Sequence, residues 1–437
     1  MSKFHRRFSI GHHDDNSENC NHAQSLLNAQ KKFQDEISDV YFGGAFQFHY
    51  NGLSKVYGNV MGRLASNTQV KSLLDVQEET GIQASMTLNE MTFFPEIVAD
   101  KDIRNQFIAY LKSFYDAGIR MCTISDTHLM GAGFLQEIFP DMHWKNTVNH
   151  IVKNAQEVVD YAALGYNTIL IDRSLNRDVE ELKNTYKVAQ KLGVKTSLLT
   201  KESCMPACPF KREHDQIQPY MENGYKPIEK LGSTYWGQLG GISCNRWRSS
   251  NIPRKDDKPA PIEPMPRIGT DIVALDRETL DVYLDNTDIF KHSGRLINQV
   301  EAGSACWIDA SDKAKWRREE ADIGTELIVG SFSEIYERNL WPFHSWKLFV
   351  MERGDTGSED YYKERRDNSV WGSKKAKALN KTLMTCKNQC YDCHACERVF
   401  GFQDFDTLLE IKDTQEWREK ADALITDAAV LIDVKPV

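Results

Sequence analysis

No apolar run in the sequence approaches the roughly 18 residues that a membrane span needs. The opening stretch also lacks the apolar segment of a secretory signal, so a cytosolic protein is expected. A basic excess is missing too. Lysine and arginine number 54 against 63 aspartates and glutamates, a net charge of −9, which disfavours a surface built mainly to wrap a phosphate backbone. Cysteine is scarce for a disulfide scaffold, ten in 437 residues, and in a reducing compartment clustered thiols are more often metal ligands than cystines. What is present is core material. Hydrophobic residues make up 41%, with 20 Phe, 16 Tyr and 9 Trp, which excludes wholesale disorder. At ~100–200 residues per domain the chain should hold two or three units.

Three units are expected along the chain. Residues 1–30 are polar, carry His5, His12, His13 and His22 without apolar periodicity, and read as a flexible tail. Residues 31–310 alternate short apolar stretches with amphipathic ones, the pattern of repeated βα units. Strands are predicted at 39–44, 82–88, 119–124, 168–172, 194–199, 271–275 and 287–291, and helices at 103–118, 147–165 and 179–193. Each helix stops on a glycine, and the repeat of strand, helix and glycine implies right-handed parallel crossovers. The expected fold class is therefore α/β, a TIM-like barrel, with a cysteine-rich C-terminal extension over 311–437.

In such a barrel chemistry sits where the C-terminal ends of the strands converge. Polar residues cluster at the predicted ends: Asn89 and Glu90; Ser125, Asp126 and His128; Asp172 and Arg173; Lys201, Glu202 and Cys204, with His214 beyond; Lys291, His292 and Arg295. His128, Glu202, His214 and Lys291 are candidates to move protons. Arg63, Arg173, Arg177 and Arg295 are candidates to bind a carboxylate or phosphate. The opposing reading makes these residues helix caps, solvated loop residues or partners of neighbours such as Asp178.

Cys204 and Cys208, followed by Pro209, suit a loop folded around a soft metal or cluster. Cys244 follows a glycine-rich loop and supplies a third thiol; Cys306 or a C-terminal cysteine could supply the fourth. Cys20, Cys122 and Cys306 also fit small buried apolar positions. The extension holds Cys386, Cys390, Cys393 and Cys396 within eleven residues, dense enough for one cluster or one zinc, with His394 as a spare zinc ligand. The first three cysteines also have the spacing of a radical S-adenosylmethionine loop. Lys374, Lys375, Lys377 and Lys381, with Arg365 and Arg366 upstream, form a patch that is either an RNA contact or a solvated helix face.

Residues about 37–300 resemble the collagenase-like peptidase family U-32. The matching pieces come in order: Asp39 to Gly44; 171–178 with Arg173 and Arg177; Leu198 to Cys208; Cys244, Arg246 and Trp247; and Lys291, Gly294 and Arg295 as a lysine-x-x-glycine-arginine signature. The resemblance implies a TIM-like barrel and, in the family's hydroxylase branch, a four-iron four-sulfur cluster on which Cys204, Cys208 and Cys244 carry over. The family's fourth cysteine has no counterpart at 271–278. Relatives hydroxylate a tRNA uridine, a ribosomal cytidine or a quinone precursor, with prephenate as oxygen donor in the RNA cases.

The expectation is an iron-sulfur, oxygen-independent hydroxylase or related oxidoreductase. It would take a small anionic, prephenate-like cosubstrate and an aromatic acceptor (a nucleobase, a quinone precursor or a peptide side chain), so RNA or protein is a partner. It would carry one or two 4Fe-4S clusters, with zinc as the alternative at the C-terminal cysteines. The competing readings are a metallopeptidase, a radical S-adenosylmethionine enzyme and a non-catalytic RNA-binding or scaffold protein.

Overall fold

The computed structural model describes residues 5–11, 35–59, 65–199, 277–291, 382–387, 389–393 and 395. Eight strands close a barrel: β1 (Phe8–Gly11), β2 (Ile37–Gly43), β5 (Gln83–Leu88), β6 (Met121–Ile124), β7 (His143–Lys145), β8 (Thr168–Leu170), β9 (Lys195–Leu199) and β10 (Ile289–Lys291). Every neighbouring pair is parallel, and β1 seals the circle between β10 and β2. A hairpin, β3 (Ala45–Tyr50) with β4 (Leu53–Gly58), is inserted between β2 and β5. Among the described residues no helix is long and apolar enough to cross a membrane.

The helices form for local reasons. In α1 (Asn67–Thr80) Ser66 and Gln69 make a reciprocal capping box and Gly81 closes the end in the left-handed conformation. After α2 (Pro95–Ala99), α3 (Lys101–Asp116) starts on Asp100, whose carboxylate takes two backbone amides, and buries Ile103, Phe107 and Leu111 on one face. The short α4 (Thr127–Gly131) and α5 (Phe134–Ile138) precede β7. Further along come α6 (Ala155–Ala163), α7 (Val179–Leu192) and α8 (Arg277–Asp285). The outward faces of the strands, with Phe8, Val40, Met86, Cys122, Trp144, Ile169, Leu198 and Phe290, pack with Leu73, Phe107, Val158 and Leu182 of the helices into one core.

Two expectations are corrected. The segment read as a flexible tail contains β1, whose Phe8, Ser9 and Ile10 are buried and whose backbone pairs on both sides. The helix expected over 147–165 is two pieces: a 3-10 turn at Val148–His150, then α6 starting on the Asn154 cap. β7 and the hairpin were not anticipated. The strand expected at 271–275 lies outside the described residues, as does most of 311–437.

The hairpin joins the barrel through a close backbone approach. Gly58 donates its amide to Glu90 Oε2 at 3.1 Å and accepts from the Glu90 amide at 2.9 Å. A Cβ on Gly58 would overlap the Gly44 carbonyl and sit 2.7 Å from Ala45 Cα, and backbone cannot yield as a side chain can. Gly58→Ala is therefore expected to lose about 2 kcal/mol of unfolding free energy in urea titration, in the overpacking range. A change below about 0.5 kcal/mol, the size of an ordinary surface substitution, would show that the junction is looser than described.

Candidate active site at the barrel mouth and lumen

Barrel lumens of this type are usually filled by branched aliphatic residues, but this one is polar. The register places Ser9, Asp39, Ser85, Thr87, Thr123, Lys145, Thr168, Ser197 and Lys291 on one face of their strands. Lys145 Nζ donates to Asp39 Oδ2 at 2.7 Å, although β7 and β2 are not neighbours, so the pair meets through the lumen. Ser9 Oγ donates to the same oxygen at 2.9 Å. Lys145 and Asp39 are 4% and 2% exposed, so both charges are held away from water.

Lys291 ends β10, is only partly exposed and places its Nζ 4.3 Å from the centre of the Tyr41 ring. Burial pulls its pKa down to about 7 and the Lys145 charge pulls the same way, against Asp39. His143, whose Nε2 lies 2.6 Å from Thr168 Oγ1, is lowered to about 4, by burial first and then by Lys145 and Lys195. A small cavity bordered by Ser9, Asp39, His143, Lys145, Thr168 and Lys291 runs along this axis.

The loops after β5, β6 and β7 line a second, larger space of about 290 Å³ at the C-terminal ends of those strands. Asp126 caps α4, its Oδ1 accepting the amides of His128 at 2.8 Å and Leu129 at 3.1 Å. Tyr57, fully buried, holds the turn by accepting the Asp126 amide at 3.2 Å. His128 is largely exposed, with Nδ1 3.7 Å from Asp126 Oδ1 and its ring 4.3 Å from that of Phe93. His150 Nε2 lies 2.6 Å from the Ser125 carbonyl, and Tyr161 packs 5.0 Å from its ring. Burial lowers the His150 pKa.

Beyond β8, Asp172 caps the 3-10 turn Arg173–Asn176 by accepting the Ser174 amide at 2.9 Å. Two of the four expected arginines are here and both are covered, Arg173 at 6% and Arg177 at 2% exposure. Arg177 donates to the Asn176 carbonyl at 3.1 Å and bonds the Tyr283 hydroxyl, so its guanidinium ties α8 to this loop as well as carrying charge. Tyr283 also donates to the Asn176 carbonyl, and Asn176 Nδ2 donates to the Leu199 carbonyl at 3.0 Å.

The structure thus brings His128 to the mouth, Lys291 to the lumen, and Arg173 and Arg177 to the wall of the β8 loop. Asp39, Lys145 and His150 were not among the expected site residues, whereas His143 falls in the polar segment expected near the mouth. Arg63, Glu202, His214, Arg295, Cys204, Cys208, Cys244, Cys306 and Cys396 lie outside the described residues. Cys122 is a fully buried thiol whose pKa burial raises, in keeping with its reading as core. Cys386 is half-buried, Cys393 is exposed, and Cys390 opens the short helix α9 (Cys390–Cys393). Among the described residues no three His, Cys, Asp or Glu side chains gather as a metal site. The C-terminal cysteine stretch nevertheless touches the barrel: Leu383 is 3% exposed within the core, and Met384 Sδ lies 3.8 Å from the Tyr283 hydroxyl.

No family model matches the chain, and no curated protein matches it. Among solved structures it is similar to a U32 peptidase, with TM-score 0.41 and 11% identity over 67% of this chain and 94% of that one. It is also similar to a fructose-1,6-biphosphate aldolase from Coccidioides immitis, with TM-score 0.39 and 9% identity over 76% and 91%. By its own strand order, the chain is an eight-stranded parallel α/β barrel of the TIM type.

Proposed function

We propose that the barrel mouth is the seat of an iron-sulfur oxidoreductase of the oxygen-independent hydroxylase kind, acting on an aromatic acceptor with a small anionic cosubstrate. The observation that carries this reading is that the segment leading into the C-terminal cysteines packs beside the end of β9, the strand that the Cys204 stretch follows in sequence. Cys204 follows the end of β9 by five residues, a reach of at most ~17 Å. Cys386 follows Met384, which rests on Tyr283, and Tyr283 shares Asn176 with the Leu199 carbonyl at that same strand end. Thiolates from the two stretches are the donor class a four-iron cluster takes, with Cys204, Cys208 and Cys244 as first ligands and Cys306 or a C-terminal cysteine as the fourth. Such a cluster would supply electron transfer and, at an open iron, Lewis acidity.

The chain's own groups have separate duties. His128, largely exposed at the mouth, is placed to exchange a proton with solvent there, with the Asp126 carboxylate 3.7 Å from its Nδ1. Lys291, with a pKa near neutrality, can take or give a proton from the lumen side. Arg173 and Arg177 keep positive charge beside the β8 loop, suited to a carboxylate-bearing cosubstrate. Protein purified without oxygen should hold about four irons per chain with matching sulfide, and Cys204→Ala should remove most of both. Colourless, iron-free wild type, or stoichiometric zinc in its place, would defeat the reading and favour a metallopeptidase.

A further inference from the structure

The lumen gathers several amines around one carboxylate. Among the described residues, the charged or titratable side chains bordering its cavity are Asp39 from β2, His143 and Lys145 from β7, Lys195 from β9 and Lys291 from β10. Asp39 already takes Lys145 Nζ at 2.7 Å and the Ser9 hydroxyl at 2.9 Å. His143 is neutral at pH 7, its pKa lowered to about 4, and Lys195 stands exposed at the start of β9. Lys291 Nζ lies 4.3 Å from the centre of the Tyr41 ring. Tyr41 follows Asp39 by two residues on the same face of β2, and Tyr41 and Lys291 both keep part of their surface open.

We propose that Lys291, set in this lysine-rich lumen above the Tyr41 ring, is the nucleophile of a covalent site for a small 2-oxo acid, which it holds as an imine. The Nζ lone pair adds to the carbonyl carbon, the carbinolamine loses its oxygen as water, and C=N replaces C=O, with no oxidant or reductant consumed. An amine adds only when unprotonated. About one in 10³ of ordinary lysines is neutral at pH 7, whereas burial and then the Lys145 charge hold Lys291 near its midpoint there. A desolvated lysine beside a second cation is a known way of activating such a nucleophile. The protonated imine is a cation over an aromatic face, which favours it. Three lysines border this space against one aspartate among the described residues, so an iminium at Lys291 leaves positive charge in excess. A carboxylate carried by the substrate offsets that excess, and a neutral carbonyl compound does not. The iminium draws electrons from the adjacent carbon, so the chemistry it favours is proton loss or carbon–carbon cleavage beside the former carbonyl. This goes beyond the proton-carrier duty of Lys291 and needs no iron.

The test is reductive trapping on full-length, anaerobically purified protein, with pyruvate as the 2-oxo acid and cyanoborohydride, which reduces an imine to a stable secondary amine. Mass spectrometry of the digested protein is expected to find a carboxyethyl group on Lys291 at least ~10-fold ahead of exposed lysines such as Lys112 and Lys183 at neutral pH. The rate at Lys291 should rise with pH to about 7 and then level off as that amine loses its proton, while exposed lysines keep gaining reactivity. Methyl pyruvate keeps the reactive carbonyl but lacks the charge, and is expected to label Lys291 at least ~10-fold more slowly, about the worth of one charge-assisted contact. Lys291→Met should lose the neutral-pH adduct and leave only the slow labelling of exposed lysines. Adducts spread over the exposed lysines without preference, methyl pyruvate trapped on Lys291 as fast as pyruvate, or a rate at Lys291 that follows the exposed lysines upward in pH overturns the proposal. Iron content of the same sample keeps the cluster separately testable. Iron-replete protein with no adduct on Lys291 rejects this site alone, and iron-free protein with the adduct rejects the cluster alone.

Discussion

Lys145→Met is expected to lower the unfolding free energy by about 3–5 kcal/mol, the cost of stranding one member of a buried ion pair. Methionine keeps most of the stem and its packing, so the loss reports on the charge. Asp39 would keep the Ser9 hydroxyl, at 2.9 Å, but lose the ammonium at 2.7 Å inside a lumen where it is 2% exposed. The double variant Asp39→Asn/Lys145→Met should recover a substantial part of the loss, since no unpaired charge remains. Urea titration of the four proteins of this cycle measures it. If Lys145→Met costs under about 1 kcal/mol, in the range of exposed pairs, the two residues do not meet in a dry lumen.

One lysine should titrate near pH 7 in the folded protein, seen as a side-chain NMR signal absent from Lys291→Met. Its pKa is lowered from 10.5 to about 7, by burial first and by Lys145 second. Between those values the unfolded chain binds more protons than the folded one, so this group makes stability rise with pH across that window. Below pH 7 both states are protonated and the penalty is fully present. In Lys145→Met the like charge is gone and Asp39 remains, so the same signal should move upward. Lysine signals that all titrate near 10.5 would place Lys291 in water and remove it from the proton-transfer scheme. The two experiments are linked: the partner that stabilises Asp39 is also the charge that helps keep Lys291 near neutrality.

Much of the barrel was legible because its strands bury their outer faces under amphipathic helices, and both leave periodic apolar patterns. Val40, Ala84, Cys122, Ile169 and Leu198 fall inside stretches read as strands, and α3 and α7 begin within about two residues of expectation. Strands without such flanks were missed. Phe8–Gly11 has four residues in a polar neighbourhood, and His143–Lys145 has three, so neither carries enough alternation to stand out. Both are strands because parallel neighbours hydrogen-bond them from two sides.

The site divides in the same way. His128, Arg173, Arg177 and Lys291 could be marked from sequence because they follow strand ends, and the βα repeat says those ends converge. Asp39 and Lys145 could not, being 106 positions apart and mid-strand or short-strand residues whose partnership exists only across a closed lumen. His150 could not either, because the carbonyl its ring nitrogen meets lies 25 residues away. Local periodicity sufficed for the strands and helices that carry an apolar pattern of their own, but not for β1, β7 or the hairpin. That the lumen is polar and that burial brings the Lys291 amine toward neutrality came from the closed barrel. Burial and charge proximity set those properties, and both arise from residues that chain closure brings together rather than from neighbours along the chain.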